Sequence, residues 1–529
     1  MQGSDDPVLI VGAGPVGLTA ATELVRRGVP VRCVDRADAP SPLTKALVVW
    51  PRTMEVLREL GGNTMISERG LPVESLLYFS DNRKIADVGF QAHTKPVILP
   101  QPDVEELLGD AYRAVGGVVD RGVELLELAD DGDGVAARLR LPDGQTQVER
   151  FSYVLGADGA SSTVRTLLDI PFEGDTYPNT FVLADVLITG RLQHDASYYY
   201  CSPRGILVIV GLPGGRFRVF TSAPADLDRN DIPLDLVQRL VDDRGPGGLT
   251  LHDPTWTSAF SVHARHAGRV RQGRVFLAGD AAHIHSPAGG QGLNTGVTDA
   301  HNLAWKLAMV WHGTARPTLL DTYQPERQAV AKSVVRQADV QTKAWLLARR
   351  HQVVLRDAAV RLASALRVPD FAFTPWLAGL RNAYPVTGPA EYTRARAGFT
   401  PGALAPDRPV WDSRGHRRAG LRSTLDSLRY TLLFVGAPGK PTAAVTQLLR
   451  WAESVEHVDV RTLAADRTLD EGYRQHRGGG RAGAVVLIRP DGYVDGCAPV
   501  SAAGLVLDRC NTLFTPSART ATPDLRLAS

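Results

Sequence analysis

The amino-acid sequence predicts an α/β protein in which a layered, largely parallel framework is interrupted by an all-strand segment and followed by a smaller α/β unit. Three observations carry that prediction. A strand, a glycine-rich turn, a helix and a second strand occupy residues 8–36; short strands separated by Pro and Gly turns take over between roughly 171 and 270; and strand–helix alternation returns at Arg274–Ala278 and again beyond residue 430.

The opening unit starts with Val8-Leu9-Ile10-Val11, an apolar run of strand length, followed by Gly12-Ala13-Gly14-Pro15-Val16-Gly17. Leu18 to Arg27 reads as a helix stopped by Gly28, and Val29–Val34 as a strand ending in Asp35. The missing side chains at Gly12, Gly14 and Gly17 allow backbone N–H groups and the helix N-terminus to approach a pyrophosphate. Asp35, 23 residues after Gly12, is placed to accept hydrogen bonds from an adenosine ribose and would repel a 2′-phosphate, so the turn suits FAD or NAD rather than NADP. A glycine turn that only packs helix on strand would read the same way.

Residues 97–170 alternate helix and strand and end in Phe151-Ser152-Tyr153-Val154-Leu155-Gly156-Ala157-Asp158-Gly159. Phe181–Ile188, Ser197–Tyr200, Ile206–Val210 and Phe217–Thr221 then read as strands of an inserted sheet that covers a ligand. The buried strand at Arg274–Ala278 delivers Gly279 and one carboxylate, Asp280, to a Gly-rich loop, 285–292, that opens a long helix running through Asn302–Leu307. Such a carboxylate can hold polyol hydroxyls, and such a helix start favours negative charge at the far end of the same ligand. Residues 323–383 read as mostly helical, and Phe399–Pro409 as a linker. Leu432–Gly436, a helix near 442–455, Val458–Leu463 and Ala484–Gly492 then form a compact α/β unit.

Composition narrows the function classes. The 529 residues are 44% hydrophobic and 22% charged, which excludes global disorder. Lys and Arg total 59 against 57 Asp and Glu, too even a balance for nucleic acid or an anionic membrane as the main partner, so a small molecule is expected. Cys33, Cys201, Cys497 and Cys510 form no CxxC pair or zinc knuckle, which fits a reducing compartment. An acidic start, Asp5-Asp6, and the lack of any apolar run of about 18 residues lead to an expected cytoplasmic location.

Three motifs in order now resemble one family: the Gly12–Gly17 turn, Asp158-Gly159-Ala160-Ser161-Ser162-Thr163-Val164-Arg165, and Gly279-Asp280. Together they resemble the class A flavoprotein aromatic hydroxylases, which include 4-hydroxybenzoate and phenol hydroxylases and tailoring enzymes of aromatic polyketides. The resemblance covers about residues 7–390. Pro401-Gly402, Ala405-Pro406-Asp407 and Arg489-Pro490-Asp491-Gly492 are similar to the thioredoxin-like C-terminal domain of larger members, although the stretch Phe434–Lys440 has no cysteine where a redox dithiol would lie.

The resemblance implies a Rossmann-like FAD-binding domain with an inserted β-sheet substrate domain and a thioredoxin-like C-terminal domain. Its boundaries would be 1–170, with an excursion to the substrate domain near 72–100, then 171–270, 271–395 and 396–529. It implies FAD as cofactor, NADPH or NADH as hydride donor, dioxygen, and insertion of one oxygen atom through a flavin C4a-hydroperoxide into a large aromatic or polyketide-type substrate. Larger members of the family are often homodimers. Gly12, Gly14, Pro15, Val16 and Gly17, with Asp35 and Arg36, would hold the adenosine and pyrophosphate, and Gln101 the ribityl or phosphate region. Asp158 carries a dual FAD and NAD(P)H role in the family, and a structural turn is the competing reading. Gly279 and Asp280 would hold the ribityl chain, Gly290, Gly292, Leu293 and Asn294 the pyrimidine edge, and Pro287 the space above the reactive carbon. Lys45 stands where the family usually has Arg, and a point charge lacks the bidentate fork.

On the substrate side, Tyr199, in Tyr199-x-x-x-Pro203-Arg204-Gly205, would be the counterpart of the tyrosine that meets the substrate phenol, and a plain core tyrosine is the competing reading. The arginine expected for a benzoate carboxylate falls at Leu212, which favours a larger, more apolar aromatic. His283 and His285 form an HxH without an evident third ligand, so no metal is expected. His285 and Ser286 replace apolar or proline residues common in this loop. A Baeyer–Villiger or epoxidising oxygenase would share every motif. The Trp-x-Trp-x-Ile-Pro signature of flavin halogenases is missing, and a flavin-binding protein without turnover is the alternative from another class.

Overall fold

The computed structural model describes residues 6–223, 227, 232–347, 349–386, 388–411, 418–435, 442–463 and 483–515. Its framework is a six-stranded sheet in the order 271–272, 275–277, 153–156, 8–11, 31–35, 119–121, parallel except at the 271–272 edge. The central strands Val8–Val11 and Tyr153–Gly156 are buried along their whole length, as their unbroken apolar sequences require of a sheet covered on both faces. The helix Pro15–Val25 starts directly after the first strand and packs against the 20-residue helix Gly292–Trp311. Close packing at the turn explains two of the glycines. A Cβ on Gly17 would lie 1.8 Å from the Gly12 carbonyl oxygen, and one on Gly12, at φ +102°, would lie 2.4 Å from that of Ala157.

A second sheet of eight strands stands on this framework, in the order 283–284, 250–267, 172–189, 217–223, 205–211, 196–202, 75–80, 83–89. Two 18-residue strands, Phe172–Thr189 and Thr250–Ala267, pair with each other towards one side of it. The pair Ser75–Ser80 and Arg83–Gly89 comes from an earlier part of the chain and joins by parallel pairing of Ser75–Ser80 with Ala196–Ser202. Helix Leu234–Arg244 covers one face through Val237 and Val241, and the other face looks down on the framework.

Beyond the helices Tyr323–Trp345 and Arg350–Ala365, the chain makes a four-stranded mixed sheet in the order 458–463, 430–435, 484–488, 494–499, flanked by helices Ala443–Glu453 and Gly504–Leu513. A buried ion cluster binds it to the framework. Arg489 reaches Glu326 at 2.7 and 3.0 Å and Asp491 at 2.6 and 3.0 Å, while Lys306 donates to Glu326 at 2.7 Å and Asn302 to both carboxylates. All four cysteines are buried and unbonded, and Gly436–Lys440 lies outside the described residues.

Candidate functional site: two connected chambers

Two cavities of about 620 and 650 Å³ lie side by side along the framework and share Gly14, Lys45, Gln101, Ala157 and Gly159, so they form one continuous channel. The first is the more polar of the two and runs over the end of the opening strand. Asp35 sits in its wall with Oδ2 accepting the Ala13 N–H at 2.7 Å and Oδ1 accepting that of Ala37 at 2.8 Å. Those bonds lock the carboxylate at the strand end, and Arg36 lines the same wall. Gly14 has no atom within 4 Å of a Cβ built on it, so this glycine is spared for the space above it rather than for packing. That space fits a diphosphate brought close to backbone N–H groups.

Where the chambers meet, the fit to a dinucleotide continues. Asp158 accepts the Val164 N–H through Oδ2 at 3.1 Å and leaves Oδ1 buried with no partner among the described residues. A buried carboxylate oxygen of this kind is costly unless a ligand donates to it. Asp280 opens into the channel with an exposed side chain. The protein packed around it partly desolvates the carboxyl and raises it above the ordinary range, with His283 and Lys45 opposing the shift. The Gln101 amide is fixed by the Ala46 N–H at 3.2 Å and by Glu105 at 2.8 Å, and Lys45 reaches both chambers with an exposed side chain. Arg165 holds the crossing from behind by donating to the Ala281 and Ala160 carbonyls.

The second chamber begins at the N-terminus of Gly292–Trp311. Gln291 precedes that helix, and its side chain turns away to the Leu377 carbonyl instead of capping it. The first N–H bonded within this turn is Thr295's, to Gln291, so among the described residues the helix-start N–H groups of Gly292, Leu293 and Asn294 have no backbone partner, an arrangement suited to a ligand that carries negative charge. The Asn294 side chain is occupied in packing: Oδ1 accepts the Trp50 N–H at 2.8 Å, and Nδ2 donates to Val48 and Gly290. Gly290 and Pro287 line the same space.

The rest of that chamber is aromatic and apolar. Tyr199 stacks on Tyr78 with centroids 4.8 Å apart and lies 5.3 Å from Trp345, and Phe220 and Phe260 continue the same face of the sheet across neighbouring strands. Burial, reinforced by Cys201, pushes the Tyr199 phenol up to about 12, so it stays protonated at neutral pH. Arg218 is also in the wall, held by Asp185 through two bonds of 2.7 Å and by the Thr44 carbonyl at 2.6 Å. Leu212 is buried in an apolar cluster with Leu76, Val88 and Ile98. The chamber therefore offers no unpaired guanidinium at the position where a benzoate carboxylate would need one.

His283 and His285 have separate tasks. Nε2 of His283 lies 2.7 Å from Asp299, which also takes the Gly279 N–H at 3.0 Å and pairs with Arg327 at 2.5 Å, so His283 braces the Gly279-Asp280 turn. His285 faces the second chamber. Among the described residues the three-residue cluster with metal-ligand spacing is elsewhere, at Glu23, Glu59 and His301, and Glu23 is already paired with Arg26 and Arg27.

The geometry agrees with what similarity to known proteins shows. Residues 5–338 match the FAD binding domain family. The 6-methylpretetramide 4-monooxygenase of Streptomyces rimosus is 35% identical over 93% of this chain and 90% of that protein. Among solved structures, the anhydrotetracycline hydroxylase OxyS from Streptomyces rimosus matches with a TM-score of 0.75 and 29% identity over 97% of this chain and all of that one. The flavin-dependent monooxygenase PieE, solved with FAD and substrate, matches with a TM-score of 0.80 and 27% identity over 96% and 98% of the two chains.

Proposed function

This chain belongs to the FAD binding domain family, as a flavoprotein monooxygenase of the aromatic hydroxylase class, and from that premise we propose that it hydroxylates a polycyclic phenol of the aromatic polyketide type. One observation supports the substrate class most directly. The nucleotide channel opens, at the Gly292 helix start, into a 650 Å³ chamber walled by Tyr78, Tyr199, Phe220, Phe260 and Trp345 with its arginine already neutralised. The isoalloxazine would take the part of this space next to the Gly292 helix start, and a flat, fused-ring substrate fits the aromatic remainder better than a small benzoate, which would leave it partly empty.

Bound FAD supplies electron transfer and oxygen activation, with NADPH or NADH as the donor and dioxygen as the oxidant. The chain's own residues bind and orient. Asp35 and the Gly12–Gly17 turn hold the adenosine end, Lys45, Gln101 and Asp158 the middle, and Asp280 the sugar-alcohol chain. The N–H groups of the Gly292 helix start would meet the pyrimidine edge of a bound flavin and favour negative charge there. Pro287 excludes water above the reacting face, and Tyr199, kept as a phenol, donates a hydrogen bond to the substrate oxygen. We read the inserted eight-stranded sheet as the substrate domain and the C-terminal four-stranded sheet as thioredoxin-like without redox function. No helix among the described residues is long and apolar enough to cross a membrane.

The test is NADPH and oxygen consumption by the FAD-loaded protein against a panel of polycyclic phenols under labelled dioxygen, with product masses. One compound should accelerate NADPH oxidation and gain a single labelled oxygen on a ring carbon. An oxygen inserted into a C–C bond would replace hydroxylation by a Baeyer–Villiger reaction. Anaerobic turnover with another acceptor, and no label in any product, would make the protein a flavin dehydrogenase.

A further inference from the structure

We propose that Nε2 of His285 accepts a hydrogen bond from a hydroxyl group on the bound aromatic substrate and so fixes which ring faces the flavin. This assignment rests on reading the second chamber as the substrate site, and carries it to a single atom.

His285 lines the chamber two residues before Pro287. Its Nδ1 lies 2.7 Å from the Ser286 carbonyl oxygen. A carbonyl oxygen can only accept, so Nδ1 carries the ring proton and Nε2 presents a lone pair. That Nε2 is buried and has no partner among the described residues. An unmet buried acceptor is unfavourable, because it has given up water without gaining a donor. A ligand donor removes that cost.

A water-sized group cannot touch Nε2 in this structure, so a substrate hydroxyl reaches it by a small shift of the ring or its neighbours, with the bond from Nδ1 to the Ser286 carbonyl as the pivot. Ser286, whose carbonyl holds it, has its own hydroxyl oxygen fixed by the Thr342 hydroxyl at 2.7 Å and the Ala288 N–H at 3.2 Å. Burial also drives the imidazole down to about 4, the bond to Ser286 opposing and His283 adding to the effect, so the lone pair is available throughout the neutral range. Tyr78 and Tyr199 in the same wall have phenols shifted upward by burial and remain donors. The chamber thus offers a substrate hydroxyl an acceptor at His285 and other oxygens a donor at Tyr199. The proton stays on the substrate oxygen; its displacement towards Nε2 enriches the ring carbons ortho and para to that oxygen, the positions an electrophilic oxygen attacks.

The test uses the FAD-loaded full chain and two probes, 2-hydroxyanthraquinone and its methyl ether, titrated by calorimetry into wild type, His285→Leu and His285→Gln. Wild type should prefer the hydroxy compound by roughly tenfold, the worth of one net hydrogen bond. His285→Leu should bind both alike, and His285→Gln, whose amide oxygen reaches a similar place, should recover part of the preference. FAD content and affinity for the ether should stay constant across the three proteins. Equal binding of the two probes by wild type, or a preference that survives in His285→Leu, overturns the assignment. If wild type binds neither probe and no polycyclic phenol stimulates its NADPH oxidation, the substrate reading itself fails and the assignment falls with it.

Discussion

Two glycines three residues apart should fail in opposite ways. At Gly17 an added Cβ would stand 1.8 Å from the Gly12 carbonyl oxygen, backbone that cannot yield without separating helix from strand. Overpacking of this kind costs about 1–3 kcal/mol and more where the neighbour is rigid. Gly17→Ala should therefore lower the Tm of the FAD-free protein by several degrees. At Gly14, with φ −77° and ψ −174°, alanine is sterically allowed and its Cβ meets nothing within 4 Å. The FAD-free Tm should move by no more than about a degree, since exchange of Gly for Ala at a helix N-cap changes stability by only about 1 kcal/mol or less. The Cβ does occupy the space where a diphosphate would approach. Loss of one strong charge-assisted hydrogen bond is worth about 2–3 kcal/mol, or roughly a hundredfold in affinity. At a FAD concentration 1,000 times the wild-type Kd, ligand stabilisation would fall from about 4 to about 1.4 kcal/mol. Thermal melts of both variants with and without FAD measure all four quantities. If Gly14→Ala lowers the FAD-free Tm as much as Gly17→Ala does, or keeps the full FAD shift, the reading of Gly14 as a point of close ligand approach is wrong.

Three further outcomes follow from the placement of charged groups. Partial desolvation raises the Asp280 carboxyl, so the folded FAD-free protein holds a proton there more readily than the unfolded chain and ionisation works against folding. Asp280→Asn should raise the FAD-free Tm at pH 7–8, with the gain vanishing as the pH falls to the ordinary carboxylate range, while FAD affinity drops only roughly tenfold, because the amide oxygen still accepts a hydrogen bond and only the charge assistance is lost. Arg218 and Asp185 are both nearly inaccessible to water, so removing either alone leaves a buried unpaired charge. Asp185→Ala should cost about 3–5 kcal/mol by urea denaturation, and the double variant Asp185→Leu/Arg218→Met distinctly less. Burial pushes Glu326 upward, but Arg489 and Lys306 outweigh it and hold the carboxyl down to about 2, below its ordinary 4.5. Its contribution is complete above 4.5 and lost as the pH falls towards 2, and Glu326→Gln should flatten that part of the acid-unfolding curve and cost about 3 kcal/mol at pH 7.

What could be read in the sequence is what short segments decide for themselves. The Gly12–Gly17 turn, Asp35 at the strand end and Asp280 after a buried strand all line the channel because each is placed by its own strand and the turn that follows. The aromatic chamber is assembled differently. Tyr78 stacks on Tyr199 because Ser75–Ser80 pairs in parallel with Ala196–Ser202, a register set across 121 residues by tertiary packing. Trp345 arrives from the end of a helix. Arg218 and Phe220 carried a visible signal, since alternation puts them on one face of their strand, but the Asp185 that neutralises Arg218 lies on a neighbouring strand. Leu212 in place of an arginine is therefore legible in the sequence, whereas the guanidinium of Arg218, already paired in the chamber wall, is visible only in the fold.

The Arg489-Pro490-Asp491-Gly492 segment shows how a recognisable motif acquires a physical task only in the fold. Arg489 and Asp491 carry no chemistry of their own. They complete the charge cluster around Glu326, and Lys306 and Asn302, which share it, lie on the helix whose other end opens the second chamber. One turn closer to that end, Asp299 joins the Gly279 N–H, His283 and Arg327, and Arg327 reaches Tyr384, which stacks 4.1 Å from Tyr493 in the C-terminal region. The Gly279-Asp280 turn is thus clamped to a helix that the C-terminal region clamps in turn. A helix start that must meet a ligand's negative charge within hydrogen-bonding distance needs that rigidity, because preorganised donors stabilise charge only when they need not move to do so. The C-terminal sheet, remote from both chambers, serves the site by holding one helix still.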